Sequence, residues 1–494
     1  MKIRVVSTAS RVKAVQVIQY RNYKRVVLKH IGSAKTEDEL KALLLAAEEW
    51  IKEASHQLSL FPDDNPNQVF YVNHSKFVGV KYRHFHQTIR QVFDRLGLGD
   101  LPELLQDLVA IRIFEPASKL RSLELLAKYF GIHHQRKTYY KFAPKCIDLK
   151  DEVENKVVAF AQSAYDFKYD ILFYDVTTLY FETFEEDELR KTGFSKDNKA
   201  QQPQILVALM VSKEGFPVSY EVFAGNTFEG HTIIPVIQKF ISKNKVKNFT
   251  VVADAAMISA ENIRLLNSNQ INYIVGARLG NVSPLLLEQI DKTMRREDGH
   301  TIRLKTENGY LICSYSKVRY RKDKHEMDKQ LEKAKLIARQ PSKGKRVKFI
   351  STKDAKISLN EPLIEKTTKL LGIKGYYTNI GESEIDNSTI IARYHDLYKI
   401  EQSFRITKND LQTRPVFHFK EQPIKLHLLI CFIALVISKH IELKAGCSIR
   451  KFIDESKKIV DGEILNITTG KIIKIKAKTT QTMDGYIEKI ISPH

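Results

Sequence analysis

"YDILFYDVTTLYFETF", residues 169–184, decides how the rest of the chain is read. β-branched and aromatic residues fill it, which predicts a buried strand. Asp175 stands in its middle, between Ile-Leu-Phe-Tyr and Val-Thr-Thr-Leu-Tyr-Phe. Burying a lone carboxylate in such a run is costly, so the residue either faces an edge, pairs with a lysine, or belongs to a functional site.

The downstream segments supply partners for that strand. "QPQILVALMVSKEGFPVSYEVFAG" (202–225) predicts two strands joined by a Gly-Phe-Pro turn, with a helix over about 230–243. "NFTVVADAAMIS" (248–259) predicts another buried strand, followed by a helix over about 260–268. Three meandering strands, a helix and a further strand give a mixed sheet flanked by helices. Asp254 ends the last of these strands, a favoured place for a site in an α/β sheet and equally for a helix N-cap. Residues 270–370 break the rhythm as a β-rich insertion, with "YIVGARLG", "GYLICSYSKVRY" and a Lys/Arg-rich stretch at 321–349. "GIKGYYTNI" (372–380) predicts a strand returning to the sheet. The apolar run "LHLLICFIALVIS" (426–438) contains a histidine and falls short of the roughly 20 residues that span a bilayer. It predicts a buried core helix within 421–443, and no membrane partner.

Upstream, residues 2–31 alternate as strands with a hairpin turn at "RNYK", and Thr36 with Glu39 forms a capping-box pattern before a helix at 37–54. "SLFPDDNPNQ" (59–68) reads as a linker. From about 76 to 145 the pattern predicts helices. "KLRSLELLAKYF" (119–130), Gly131 and "HHQRKTYYKF" resemble a helix-turn-helix, with Arg136 and Lys137 as candidate DNA contacts. His84, His86, His133 and His134 read as surface or DNA-facing residues, because no third ligand sits at a metal-binding spacing. The boundaries expected are 1–58 for a small αβ module, 69–150 for the helical DNA-binding region, 160–269 and 371–443 for the two parts of the core, 270–370 for the insertion and 444–494 for an appendage.

The formal charge of +21 over 494 residues implies a polyanionic partner, most often nucleic acid. Four scattered cysteines, with no CxxC, suit a reducing cytoplasm. No Gly-rich phosphate loop is present, so no nucleotide cofactor is expected. The N-terminus lacks the apolar stretch of a secretory signal.

A third acid lies in "YHDLYKIEQSFRITKND" (394–410). Read as one helix, the segment puts Tyr394, Leu397, Glu401 and Lys408 on a single stripe. That stripe is either a solvated face with ordinary charge pairing or one wall of a site. Two strand carboxylates and a helix carboxylate can hold two Mg2+ ions roughly 3.5–4 Å apart and activate a water or a 3′-hydroxyl against a phosphodiester.

The order strand-Asp, strand-Asp, long insertion, helix-Glu resembles the DDE insertion-sequence transposases. The group it resembles carries the signature Tyr-x2-Arg-x3-Glu-x6-Lys, which falls here on Tyr394, Leu397, Glu401 and Lys408, with leucine in place of arginine. "FYDVTTLYFE", "GNTFEGHT" (225–232), "VVADAAM" and "IEQSFRITKNDLQTRPVFH" (400–418) are also similar to segments of this group. The resemblance implies an α+β fold: an RNase H-like mixed sheet flanked by helices, interrupted by a β-rich insertion, with an N-terminal helical DNA-binding region. It implies that Asp175, Asp254 and Glu401 are catalytic and bind Mg2+, with Mn2+ able to substitute, and that Tyr394 and Lys408 contact DNA. Arg405 is the expected replacement for the missing arginine, ahead of Arg393. Tyr315 is a candidate to stack on a flipped base if cleavage proceeds through a DNA hairpin. The partners implied are double-stranded DNA, as element ends and target, and a homodimer or larger synaptic assembly in a prokaryotic cytoplasm. A metal nuclease or recombinase with the same core, and a decayed DNA-binding protein, are the rival readings.

Overall fold

Continuous β-branched and aromatic runs become the central strands, and the all-apolar run near the C-terminus becomes the helix packed on them. The computed structural model describes residues 1–8, 12–21, 23–54, 75–194, 201–246, 249–257, 259–307, 309–339, 347–353, 356–414, 416, 418, 420–467 and 470–492. The linker expected at 59–68 lies outside the described residues.

In chain order the elements are β1 (Lys2–Ser7), β2 (Lys13–Arg21), β3 (Lys24–Ala34), α1 (Glu37–Ala54) and β4 (Ser75–Lys81). Five helices follow: α2 (Arg83–Arg95), α3 (Glu103–Phe114), α4 (Lys119–Leu125), α5 (Arg136–Ile147) and α6 (Lys150–Tyr165). Next come β5 (Ile171–Tyr180), β6 (Gln204–Ser212), β7 (Pro217–Ala224), α7 (Ile233–Asn244), β8 (Thr250–Ala253), α8 (Ala260–Ser268) and β9 (Asn272–Ala277). After these lie α9 (Pro284–Thr293), β10 (Thr301–Thr306), β11 (Gly309–Tyr315), α10 (Lys317–Arg339), β12 (Ile350–Lys353), β13 (Lys356–Leu359), α11 (Glu361–Lys369) and β14 (Ile373–Thr378). The chain closes with α12 (Asn387–His395), α13 (Tyr398–Arg405), α14 (Glu421–Ala445), α15 (Ile449–Ser456), β15 (Asp461–Asn466), β16 (Ile472–Ile475) and α16 (Gln481–Ile491).

Two compact units emerge, one of residues 1–88, 124–133 and 451–488 and one of residues 89–123, 134–450 and 489–494. In the first, β1, β2 and β3 form an antiparallel sheet whose Val15 and Val17 pack on Leu43 and Ala47 of α1. The capping box is made: Glu39 N donates to Thr36 Oγ1 at 3.2 Å and Thr36 N to Glu39 Oε2 at 3.2 Å. Residues 75–81, read above as the start of a helical stretch, are strand β4. They pair with β15 near the far end of the chain, and this long-range pairing overrides the local pattern. Arg83, just after β4, forms ion pairs with Glu463 and, at 3.8 Å, with Asp461.

The second unit holds an eight-stranded sheet in the order β10-β11-β14-β9-β8-β5-β6-β7. β5, β6 and β7 are antiparallel neighbours, while β8 and β9 run parallel to β5. The run β7-β6-β5-β8 is the mixed sheet expected from the meander and the further strand, flanked by helices. The strand within "YIVGARLG", read above with the insertion, is β9 and pairs with β8. β14 returns antiparallel to β9 and also pairs with β11, so the intervening segment is hydrogen-bonded into the same sheet.

Helix α14 is the one helix among the described residues long and apolar enough to cross a bilayer, yet 94% of its apolar window is buried within the protein. It packs on α3, α5, α6 and β7. Its neighbour α3 is buried over nearly its whole length, which explains why Asp107 on it needs a partner. His134 supplies one, its Nε2 2.7 Å from Asp107 Oδ2, so this histidine is half-buried against α3.

At the end of β7, Gly225 accepts a bond on its carbonyl from Gln204 Nε2 at 3.0 Å, and a Cβ there would run into the carbonyl oxygens of Gln204 and Lys191. Neither oxygen can move without breaking the start of β6. Gly225→Ala is therefore expected to destabilise this unit by about 1–3 kcal/mol, read as a lower midpoint in denaturant unfolding.

Candidate active site

The site begins with strand register. Parallel pairing of Tyr174 with Ala253, and of Ala253 with Val275, makes Asp175, Asp254 and Gly276 the next residues along three adjacent strands. Tyr376 of β14 is registered with Gly276 and continues the row. Asp175 is half-buried, and its Oδ1 accepts from Val176 N at 2.8 Å. Asp254 is exposed, and its Oδ1 accepts from Ala255 N at 2.7 Å and from the Tyr394 hydroxyl at 3.3 Å. Asp254 does not cap α8; Ser259 does, accepting from Asn262 N at 3.0 Å.

"GNTFEGHT" braces this row from the other face of the sheet. Alternation sends Tyr174 to the face opposite Asp175, and its hydroxyl donates to Thr232 Oγ1 at 2.7 Å. Thr232 donates in turn to Glu229 O at 2.6 Å. Asn262 Nδ2 donates to Gly230 O at 2.5 Å and Met257 O at 2.8 Å, which ties the motif to the turn that follows Asp254.

The segment 394–410 is not one helix. α12, capped by Asp386 through Thr389 N at 3.2 Å, packs over β8 and β9 and ends at His395. Bonds from Leu397 N to Tyr394 O and from Ile400 N to Leu397 O, both 3.1 Å, tighten the chain before α13 starts. α13 packs over β5 and β6, with Ile400 and Phe404 buried and Lys399 Nζ donating to Lys213 O at 2.7 Å. Residues 406–410 then widen into a π-type turn that carries a half-buried Lys408. The expected stripe is thus broken twice, because α12 and α13 must each seat an apolar face on a different part of the sheet. Leu397 is buried at the break, 7% exposed, and an apolar side chain suits that position where a guanidinium would not.

Tyr394 reaches Asp254 because β9 carries glycine opposite it. A Cβ on Gly276 would sit 2.5 Å from the Tyr394 hydroxyl oxygen. The phenol ring packs edge-on against Tyr376, with centroids 4.9 Å apart. Burial pushes the Tyr394 hydroxyl well above the usual tyrosine range, helped by the Asp254 charge and hydrogen bond and by Glu401. It therefore stays protonated and donates.

The cation that the structure brings to these acids is Lys374 of β14, which the sequence did not single out. Its ammonium lies 4.8 Å from the Tyr394 ring centroid and 5.4 Å from that of Tyr376. Burial holds it below the usual lysine range and Arg319 lowers it further, while Asp254 and Glu401 pull the other way. The only signal in the sequence was a lysine within an aromatic strand. Arg405 is exposed and borders a groove with Asn409, Glu442 and Arg450. Arg136 and Lys137 are exposed at the start of α5. Tyr315 is buried in the apolar cluster of the insertion, its ring tilted 48° to that of Tyr320 with centroids 6.3 Å apart, and is closed to a flipped base.

Three carboxylates are the donors that hard divalent cations prefer, and the chemistry of Asp175, Asp254 and Glu401 fits such an ion. Among the described residues, however, no three His, Cys, Asp or Glu groups converge tightly enough to enclose a metal as they stand.

No curated protein matches the chain. Among solved structures, the cryo-EM piggyBac transposase synaptic complex with hairpin DNA aligns at 10% identity and a TM-score of 0.37, covering 83% of this chain and 77% of that one. The Drosophila P element transposase strand transfer complex aligns at 11% identity and a TM-score of 0.21, covering 90% and 98%. The profile of the transposase DDE domain family matches residues 166–437, more than half the chain and the whole stretch from β5 into α14 that carries the three acids; the protein belongs to that family.

Proposed function

We propose that the protein is a DNA transposase that cleaves the ends of its own element and joins them to target DNA, with Asp175, Asp254 and Glu401 as ligands for Mg2+. The observation that carries this reading is the side-by-side register of Asp175 and Asp254, with Glu401 on α13, which packs over β5 and β6 beside them. A divalent cation bound there supplies the Lewis acidity that activates a water or 3′-hydroxyl and stabilises the leaving oxygen.

The chain's own groups do the rest. Tyr394 holds Asp254 Oδ1 in place through its hydroxyl. Lys374, fixed between two rings, presents a positive charge to the phosphate under attack. Lys408 and Arg405 contact neighbouring phosphates, and Arg136 and Lys137 hold the duplex. Two copies or more, each bound to an element end, form the synaptic assembly in the cytoplasm of a prokaryotic cell.

Asp175→Asn and Glu401→Gln are each expected to lower cleavage of end-containing DNA by at least roughly 100-fold while leaving duplex binding intact. Assays with Mg2+ on precut and uncut ends check this. Cleavage retained in both variants removes the assignment, and cleavage without joining of a precut end favours a nuclease. Lys374→Ala is expected to slow cleavage by roughly 10- to 100-fold, with Lys374→Arg restoring much of the rate. Arg136→Ala is expected to weaken binding alike on all duplex sequences and to reduce the slope of log affinity against log salt by about 1.

A further inference from the structure

A second cluster of charge lies apart from the three acids, beneath α5 and beside the buried start of α14. A cavity of about 250 Å³ opens there, lined among others by Arg112, Lys119, Tyr139, Arg414, His418 and His427. No Asp or Glu among the described residues lines it. Arg112 is 3% exposed and Lys119 5%, no carboxylate among the lining residues faces them, and burial, with the Arg112 charge, holds the Lys119 amine well below the usual lysine range.

The hydrogen bonding leaves donors in excess. His427 Nε2 pairs with Thr413 O at 3.0 Å, which makes Nδ1 the acceptor for Lys119 Nζ at 3.1 Å. The other two ammonium protons of Lys119 meet no acceptor among the described residues. Arg112 spends its terminal nitrogens on Ala117 O at 2.7 Å and Leu411 O at 3.5 Å, while its Nε has no partner among the described residues. The Tyr139 hydroxyl, on a residue 2% exposed, has none either. Buried donors left in this state cost stability, and buried like charges cost more. Burial, with the charges of Lys119 and Arg112, also pushes His418 down to about 4, so that histidine is a neutral member of the cluster.

We propose that this cavity binds a phosphate-class oxyanion, held by Arg112, Lys119 and the Tyr139 hydroxyl. An oxyanion is an acceptor on every side and carries the charge the pocket lacks. Two sources share that chemistry: a free phosphate ion and a phosphate of bound DNA, which the exposed Arg136 and Lys137 at the head of α5 would bring near. The site stands independently of the roles given to the three acids.

The test follows thermal unfolding of the full chain in inorganic phosphate against chloride at matched ionic strength. Wild type is expected to gain roughly 2–4 °C or more at saturating phosphate. Lys119→Met replaces a buried amine that lacks a counter-charge with an apolar chain of similar length, so it is expected to unfold no earlier than wild type in chloride and to lose the phosphate shift. Tyr139→Phe deletes only the unpartnered hydroxyl, and is expected to keep the chloride midpoint and weaken phosphate several-fold. A wild type indifferent to phosphate, or a shift undiminished in both variants, overturns the proposal. With saturating duplex present, loss of the phosphate shift identifies a DNA phosphate as the natural occupant, and an additive shift identifies free phosphate.

Discussion

Everything at the candidate active site depends on one parallel pairing, that of β5 with β8. β8 is only four residues long, every one of them is buried, and it is held between β5 and β9. A slip by one residue would turn Asp254 to the opposite face of the sheet and carry it away from Asp175. The register is held from both sides. Tyr174, Thr232 and Asn262 lock the turn after β8 beneath the sheet, and α12 and α13 press on its upper face. Tyr394 then reads the result, since its hydroxyl finds Asp254 only when Gly276 lies beside it.

The elements legible in the sequence are those whose environment is uniform along their length. β5, β6 and β8 are almost continuously buried runs, and α14 is apolar on nearly every side, so composition alone announces them. Asp175 and Asp254 stood out for the same reason, as charges where the pattern demanded none. The break between α12 and α13 was not legible, because helix propensity continues through Asp396 and Leu397. What interrupts it is the need to dock two apolar faces on different strands. β4 was misjudged because its partner, β15, is near the far end of the chain. Lys374 was invisible because its place beside the acids comes from the antiparallel register of β14, which no local pattern encodes.

The positive charge of the protein exists in two physical forms. Most of the +21 excess comes from exposed Lys and Arg, where water and salt screen it and where it attracts a polyanion at long range. Arg112 and Lys119 are buried and Lys374 is half-buried, so less solvent screens these groups and each acts over a short distance on whatever enters.

The strand that carries Lys374 is also the strand through which the insertion rejoins the core. β14 pairs on one side with β9, which adjoins Asp254, and on the other with β11 of the insertion. The insertion is therefore not a cassette hung from a loop, free to be exchanged or resized without consequence. Its last strand brings a cation and an aromatic ring to the acids. Any shift in the pairing of β11 with β14 would be transmitted to the charge balance of the site. A change of length among α9, α10 and α11 would leave this pairing in place, whereas one in β14 would move Lys374 and Tyr376 relative to Asp254.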